Sequence, residues 1–266
     1  MSHWKKPHPT WIVGHRGAPR WARENTIESF DRAEVLGVDA IEFDVRQTRD
    51  GEAVVFHDEA IVLGNQRVAI RSFTAREIEK LLLPSEFGEF RIPRLEEVFQ
   101  RYGHGMRYLV EVKTSAQTQL GLMARRVGSL AGEFGLRALC LVASFDAEFL
   151  RKMRETDPEL ATSLLFDHPV ALPEPGRATP EFPPVDAIGP RRDLLTASLL
   201  SQAVAAGLTV HPWTVDESEE IRRLIEAGVA SVTTNAPDVA LRVRDGAEAE
   251  EKGLALPAAS PRLDQG

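Results

Sequence analysis

The chain has 266 residues, with 40 acidic and 32 basic side chains giving a formal charge of −8, and 43% hydrophobic against 27% charged residues. These are the proportions of a water-soluble globule with a substantial core, long enough for one large domain or two small ones at roughly 150 residues each. No run approaches the ~18 apolar residues of a membrane span. The negative balance speaks against non-specific nucleic-acid binding, and the lone Cys140 excludes both an internal disulfide and a cysteine-rich zinc site. A basic pair, Lys5-Lys6, opens the chain with no apolar stretch behind it, so no secretory signal is expected and a cytoplasmic setting is.

In chain order, residues 11–14 form a short apolar run ending at His15, and residues 25–37 read as a helix stopped by Gly37. Residues 39–46 are strand-like, Arg49-Asp50-Gly51 is turn chemistry, and residues 53–56 are a second strand that makes this unit hairpin-like. Helices are predicted over 75–83 and 95–102, then a strand over 107–112, a helix over 117–134, a strand over 138–143 and a helix over 147–155. A strand at 161–166 leads into a segment rich in proline, Asp167 to Pro184, expected to shape one wall of a site. Beyond it come a strand over 185–188, a helix over 194–206, a strand over 208–213, a helix over 217–227, a strand over 230–233 and a helix over 237–243.

Strand followed by helix, about eight times over, predicts a parallel (β/α)₈ TIM-type barrel, for which ~250 residues is typical. A doubly wound open sheet fits less well, because Gly14-His15-Arg16-Gly17 lacks the spacing of a dinucleotide fingerprint. Residues 1–244 are expected to form this single barrel. Residues 58–93 are too long for an ordinary loop and read as a small insertion after the second strand. Residues 245–266, acidic and poor in apolar side chains, are expected to be a disordered tail.

The functional signal lies in where the ionisable residues fall. His15 and Arg16 stand just past one strand and His57 closes another, while Glu42 and Asp44 are two apart and share a face of theirs. Glu111 and Lys113 repeat that spacing, and Ser144, Trp213 and Asn235 sit at later strand ends. In a parallel barrel all these ends gather at one mouth. Glu42, Asp44 and Glu111 would make a hard, all-oxygen site for Mg²⁺ or Ca²⁺; the alternative is salt bridging to Arg16 and Lys113. The two imidazoles suit paired acid–base work. His3, His8, His104, His168 and His211 read as non-catalytic. Three carboxylates against one divalent ion, Arg16 and Lys113 leave one positive charge, matching a singly charged anion such as a phosphodiester. Neither a Gly-x-x-x-x-Gly-Lys-Ser/Thr loop nor a Gly-x-Ser-x-Gly elbow is present.

These residues fall into an ordered series. His15-Arg16-Gly17, Glu24-Asn25-Thr26, Glu42-x-Asp44-Val45-x-x-Thr48-x-Asp50-Gly51 and Val54-Val55-x-His57-Asp58 are followed by Ile92-Pro93-x-Leu95-x-Glu97-Val98 and Glu111-x-Lys113. Trp213-Thr214-Val215 and Thr234-Asn235-x-Pro237-Asp238 complete it. The series resembles the glycerophosphodiester phosphodiesterases over roughly residues 11–243. That resemblance implies a (β/α)₈ barrel with an inserted subdomain and one divalent cation on Glu42, Asp44 and Glu111. It implies His15 and His57 as the acid–base pair, Arg16 and Lys113 on the phosphate, and Trp213 with Phe145 lining a glycerol pocket. The implied reaction releases glycerol 3-phosphate and an alcohol, by attack of the glycerol 2-hydroxyl on phosphorus and opening of a cyclic phosphate by water.

The chain departs from the family pattern after Asp58, and at Asp216 and Asn235, where Asn and Asp respectively are common. Neither of the last two is expected to touch the metal or acid–base residues. Two other readings compete: a phospholipase-D-like enzyme on lysophospholipids or sphingolipids, which would need an exposed apolar rim, and an inactive barrel that binds phosphate esters. The sequence leaves the head group, the choice of metal and the oligomeric state open. It gives a small-molecule substrate as the expected partner, with no nucleic acid and no stable membrane insertion.

Overall fold

A computed structural model describes Trp4, residues 9–173, Thr179 and residues 182–246. The expected tail from residue 247 onward, His3, His8 and residues 174–178, 180 and 181 of the proline-rich segment lie outside the described residues.

Eight parallel strands run in chain order around a barrel: β1 (Trp11–Gly14), β2 (Ala40–Gln47), β8 (Arg107–Val112), β9 (Cys140–Ser144), β10 (Ala161–Phe166), β11 (Ala187–Pro190), β12 (Thr209–Val210) and β13 (Ser231–Thr234). β13 returns to pair with β1, Trp11 opposite Ser231 and Gly14 opposite Thr234. The last gap is bridged by Ala230 N–H donating to the Val210 carbonyl at 2.9 Å and Thr233 N–H to that of Pro212 at 3.2 Å. β12 is shorter than the predicted 208–213 because Pro212 has no N–H to give a ladder.

Among the described residues seven helices cover the barrel: α1 (Ile27–Leu36), α3 (Leu95–Tyr102), α4 (Leu120–Glu133), α5 (Ala147–Thr156), α6 (Ala197–Ala205), α7 (Ser218–Glu226) and α8 (Pro237–Arg244). Their limits follow local chemistry. Thr26 caps α1 through its hydroxyl and Gly37 ends it in the left-handed region; Asp146 and Thr196 cap α5 and α6, and Pro237 opens α8. Alternate strand residues divide the interior into two layers. Ile41, Phe43 and Val45 of β2 face the helices with Phe30, Phe99 and Tyr108, whereas Val13, Ala40, Leu109, Leu141, Ala143, Leu165 and Ala187 fill the barrel. Trp4 closes one end, buried against the edge of Trp11 at 5.2 Å, with its indole N–H on the Leu139 carbonyl at 2.9 Å.

After β2 the chain turns back as β3 (Ala53–Val55), antiparallel to it. Two hairpins follow, β4 (Ala60–Leu63) with β5 (Gln66–Ala69) and β6 (Leu83–Ser85) with β7 (Gly88–Phe90), separated by the single-turn helix α2 (Ala75–Ile78). They pack on an apolar cluster of their own, Val54, Phe56, Ile61, Ile70, Ile78, Leu83, Phe90 and Ile92. α2 ends at Ile78, short of the predicted 75–83, and Pro84 keeps Leu83 out of helical geometry, where β6 begins instead. Among the described residues no helix is long and apolar enough to cross a membrane.

Candidate active site

β2 places Glu42 and Asp44 on its inward face, and the parallel register sets Asp44 directly opposite Glu111 on β8. All three carboxylates are buried, at 3%, 0% and 8% exposure, and one oxygen from each lies within 4.8 Å of the others. Glu42 Oε2 accepts the Arg16 backbone N–H at 2.8 Å, while Glu42 Oε1 is buried without a hydrogen-bond partner. Asp44 Oδ2 accepts from Asn25 Nδ2 at 2.8 Å and lies 3.0 Å from Arg16 Nε. Lys113 Nζ bridges the pair, 3.2 Å from Asp44 Oδ1 and in close contact with Glu111 Oε1.

The salt bridges to Arg16 and Lys113 are present, and beside them lies a cluster of buried carboxylate oxygens that the two cations do not saturate. Burial, reinforced by the charge of Asp44, pushes Glu42 up to about 8 and Glu111 up to about 7. Burial would also raise Asp44, but Lys113, Arg16 and the Asn25 amide outweigh it and hold that carboxyl below its ordinary value. An all-oxygen set with a buried unbonded oxygen fits a hard divalent cation. Glu42, Asp44 and Glu111 are the residues that could hold it.

His15 follows β1, and its Nδ1 lies 2.7 Å from Asn235 Oδ1, beyond the end of β13. Asp216 fixes that amide, accepting from Asn235 Nδ2 at 2.9 Å and from its backbone N–H at 2.7 Å. A carboxylate can only accept, so the Asn235 oxygen faces the imidazole and His15 carries its proton on Nδ1. Nε2 is left 3.8 Å from Glu42 Oε2. Burial, then the Arg16 charge, lower the His15 pKa and favour the neutral ring. The expectation of no contact with the candidate acid–base residues is overturned for Asn235, which touches His15, whereas it holds for Asp216, which reaches His15 only through Asn235. Strand-end position locates Asn235, but no local pattern announces its partner across 220 residues of chain.

His57 follows β3, whose next residue Phe56 donates its N–H to the Asp44 carbonyl at 2.9 Å. This brings the imidazole near enough to Asp44 to help hold that carboxyl down. Its Nδ1 is 2.8 Å from Asp58 Oδ1. On the other side of Lys113, whose Nζ sits 5.6 Å from the Phe145 ring, Phe145 meets Trp213 edge-on at 5.4 Å, and the Trp213 indole N–H donates to the Gly189 carbonyl at 2.7 Å. Ser144 bonds the Val112 carbonyl and the Asp146 N–H, bracing the neighbouring strand end.

Two further groups take part that residue type alone does not single out. Glu24 holds Arg16 Nη1 at 2.9 Å, and Asn25, buried in the left-handed region at φ 58°, clamps Asp44 with both ends of its amide. Their only sequence signal is their adjacency in Glu24-Asn25-Thr26. His211 is inside the barrel, its ring nitrogens bonded to Ser231 and Thr209 at 2.8 and 2.9 Å, and burial lowers it to about 3. It is a neutral core histidine.

A (β/α)₈ barrel that collects carboxylate, imidazole and cationic side chains at the C-terminal ends of its strands is a barrel enzyme. The chain belongs to the glycerophosphoryl diester phosphodiesterase family, whose model matches residues 15–239. It is 32% identical to a glycerophosphodiester phosphodiesterase of Caldanaerobacter subterraneus subsp. tengcongensis, over 88% of this chain and 97% of that one. The corresponding figures for a glycerophosphodiester phosphodiesterase of Bacillus subtilis are 30%, 90% and 88%. A crystal structure from Silicibacter pomeroyi shares the fold with a TM-score of 0.79 at 26% identity, covering 91% of this chain and 95% of that one.

Proposed function

We propose that the protein hydrolyses glycerophosphodiesters to glycerol 3-phosphate and an alcohol, with a divalent cation, Mg²⁺ or Ca²⁺, on Glu42, Asp44 and Glu111 and with His15 and His57 as the acid–base pair. The observation that carries this reading is the buried carboxylate trio, with its oxygens within 4.8 Å, set beside both imidazoles and both cationic side chains. The relatives' names support the activity, and the chain's water-soluble composition with one buried thiol supports a cytoplasmic setting.

A bound divalent cation would draw charge from the phosphate and lower the pKa of an oxygen nucleophile. Arg16 and Lys113 supply the remaining positive charge to the phosphoryl oxygens, where it counts most as negative charge builds in the transition state. His15, neutral and with Nε2 free of its proton, takes the proton of the attacking glycerol 2-hydroxyl as the new P–O bond forms. His57, with Nδ1 engaged by Asp58, gives a proton through its other nitrogen to the departing alcohol oxygen as the old P–O bond breaks. Water then opens the cyclic phosphate with the two rings exchanging roles. Phe145 and Trp213 supply an apolar wall for the glycerol carbons.

Glycerophosphocholine hydrolysis should stop on chelation and return with added Mg²⁺ or Ca²⁺. His15→Ala and His57→Ala should each lower kcat by roughly 10²-fold or more with unchanged circular dichroism. Turnover that survives exhaustive chelation would remove the metal from the reaction; specific binding without turnover under any metal would show an inactive barrel instead.

A further inference from the structure

Next to His57 lies a groove of about 570 Å³. Asp58 and Arg23 line the end toward the mouth, and Asp58 is the residue that holds the His57 ring. Arg23 precedes Glu24, the partner of Arg16, and stacks over Phe90 at 5.2 Å. Most of the remaining wall is apolar, formed by Ile61, Val62, Leu63, Leu82, Leu83 and Phe90, with Ser85 and Glu86 of the β6–β7 turn as its polar members.

Large apolar side chains are left exposed at only a few described places. Val35 at 71% and Val204 at 59% lie singly on outer helices, whereas Val62 at 60%, Phe87 at 47% and Leu82 at 47%, just before β6, cluster at these hairpins, and Phe145 at 41% belongs to the mouth itself. The hairpins bury a separate apolar cluster, so Val62 and Leu82 are not needed to hold them together. An apolar strip that leads from a reaction centre, polar at its near end, is shaped for a ligand with the same gradient.

Building on the proposed hydrolysis, we propose that this groove receives the alcohol half of the diester, and that the preferred alcohols carry an alkyl chain. The polar linkage to phosphorus would lie between His57, Asp58 and Arg23, and the methylenes along Val62, Leu63 and Leu82. Because His57 protonates the departing oxygen in that reading, the leaving group must start beside it, where the groove begins. A small cationic alcohol would meet Asp58 but leave the hydrophobic walls uncovered.

The experiment is a series of glycerophospho-n-alkyl esters, from methyl to hexyl, all monomeric in solution, with the metal-loaded protein. kcat/KM should rise roughly two- to fourfold per added methylene over the first few carbons, the range for partial to full burial. In Val62→Asp and Leu82→Asp the rise should disappear while the methyl ester is cleaved at the wild-type rate. A wild-type series flat from methyl to hexyl, with the methyl ester readily cleaved, would overturn the groove assignment and leave the hydrolase standing. So would an equal rise in both variants, since the chain would then bind elsewhere. Failure to cleave any ester would sink the hydrolase reading, and the groove assignment with it.

Discussion

At the scale of single residues, the most informative contact is one between neutral groups. Burial and the Arg16 charge outweigh the rise that the Asn235 carbonyl gives the His15 pKa, so what Asn235 decides is direction: it accepts the Nδ1 proton and leaves Nε2 as the basic nitrogen. The direction is set one step further out, by Asp216. Asp216→Asn should therefore act through an amide flip. Its new N–H₂ group would face Asn235, Asn235 would turn its own N–H₂ toward His15, and the ring would move its proton to Nε2. We expect kcat to fall about 10²-fold with KM little changed, the order expected for losing a positioned base. The ¹⁵N shifts of His15 should report the Nδ1–H form in the wild type and the Nε2–H form in the variant. An unchanged tautomer would show that Asp216 only braces the loop. None of this is legible in the sequence. The types and strand-end positions of His15, His57, Glu42, Asp44, Glu111 and Lys113 point to one mouth because parallel strands align their ends. Asn235 and Asn25 act through contacts that only the closed barrel creates.

Among the elements, the connection from β1 to α1 carries the heaviest demands. Within a few residues it presents the Arg16 N–H to Glu42, the Arg16 side chain to Asp44 and Glu24, and the Asn25 amide to Asp44. Arg16 and Asn25 hold φ of 54° and 58°, a region that side chains rarely adopt. Gly17, at φ 89°, lies against α1 so tightly that a Cβ would come within 2.7 Å of the Ser29 backbone. Gly17→Ala would combine backbone strain with a clash against a helix that cannot yield, and should destabilise the fold by roughly 2–4 kcal/mol in urea titrations. A loss under about 0.5 kcal/mol would mean that the turn relaxes freely. Elements with strong local signals were readable: the Gly37 stop of α1, or the alternation of charged and apolar residues in β2. The hairpins of residues 60–90 were not, because strands of three or four residues carry too few alternations to register. The triplet Leu81-Leu82-Leu83 resembles a helix until the proline behind it is weighed.

Over the whole molecule, the buried carboxylates set a balance between protons, metal and fold. Without metal, Glu42 and Glu111 at about 8 and about 7 stand above their ordinary 4.5, so the folded protein holds protons that the unfolded chain has released. Their support for the fold is complete below pH ~4.5 and drains away as pH rises through 7 and 8. His211 works in the opposite direction. At about 3 in the fold against 6.5 unfolded, it supports the native state above pH 6.5 and loses that support as pH falls toward 3. His15, also lowered by burial, acts in the same sense as His211, and both oppose the carboxylates only up to about pH 6.5. From there to pH 8.5 the carboxylates dominate the slope, and the metal-free protein should melt at lower temperature as pH increases. A divalent cation replaces those protons, so its affinity should climb over the same interval. At a hundredfold excess over Kd it would add about 2.7 kcal/mol, or roughly 5–10 °C for a domain of this size. Melting curves at pH 6.5, 7.5 and 8.5, each with chelator and with Mg²⁺ or Ca²⁺, should show a metal increment that widens with pH. Glu42→Gln should abolish most of that widening, because it removes both the proton site and a ligand. An increment of constant size across the three pH values would mean that the ion binds somewhere other than between β2 and β8.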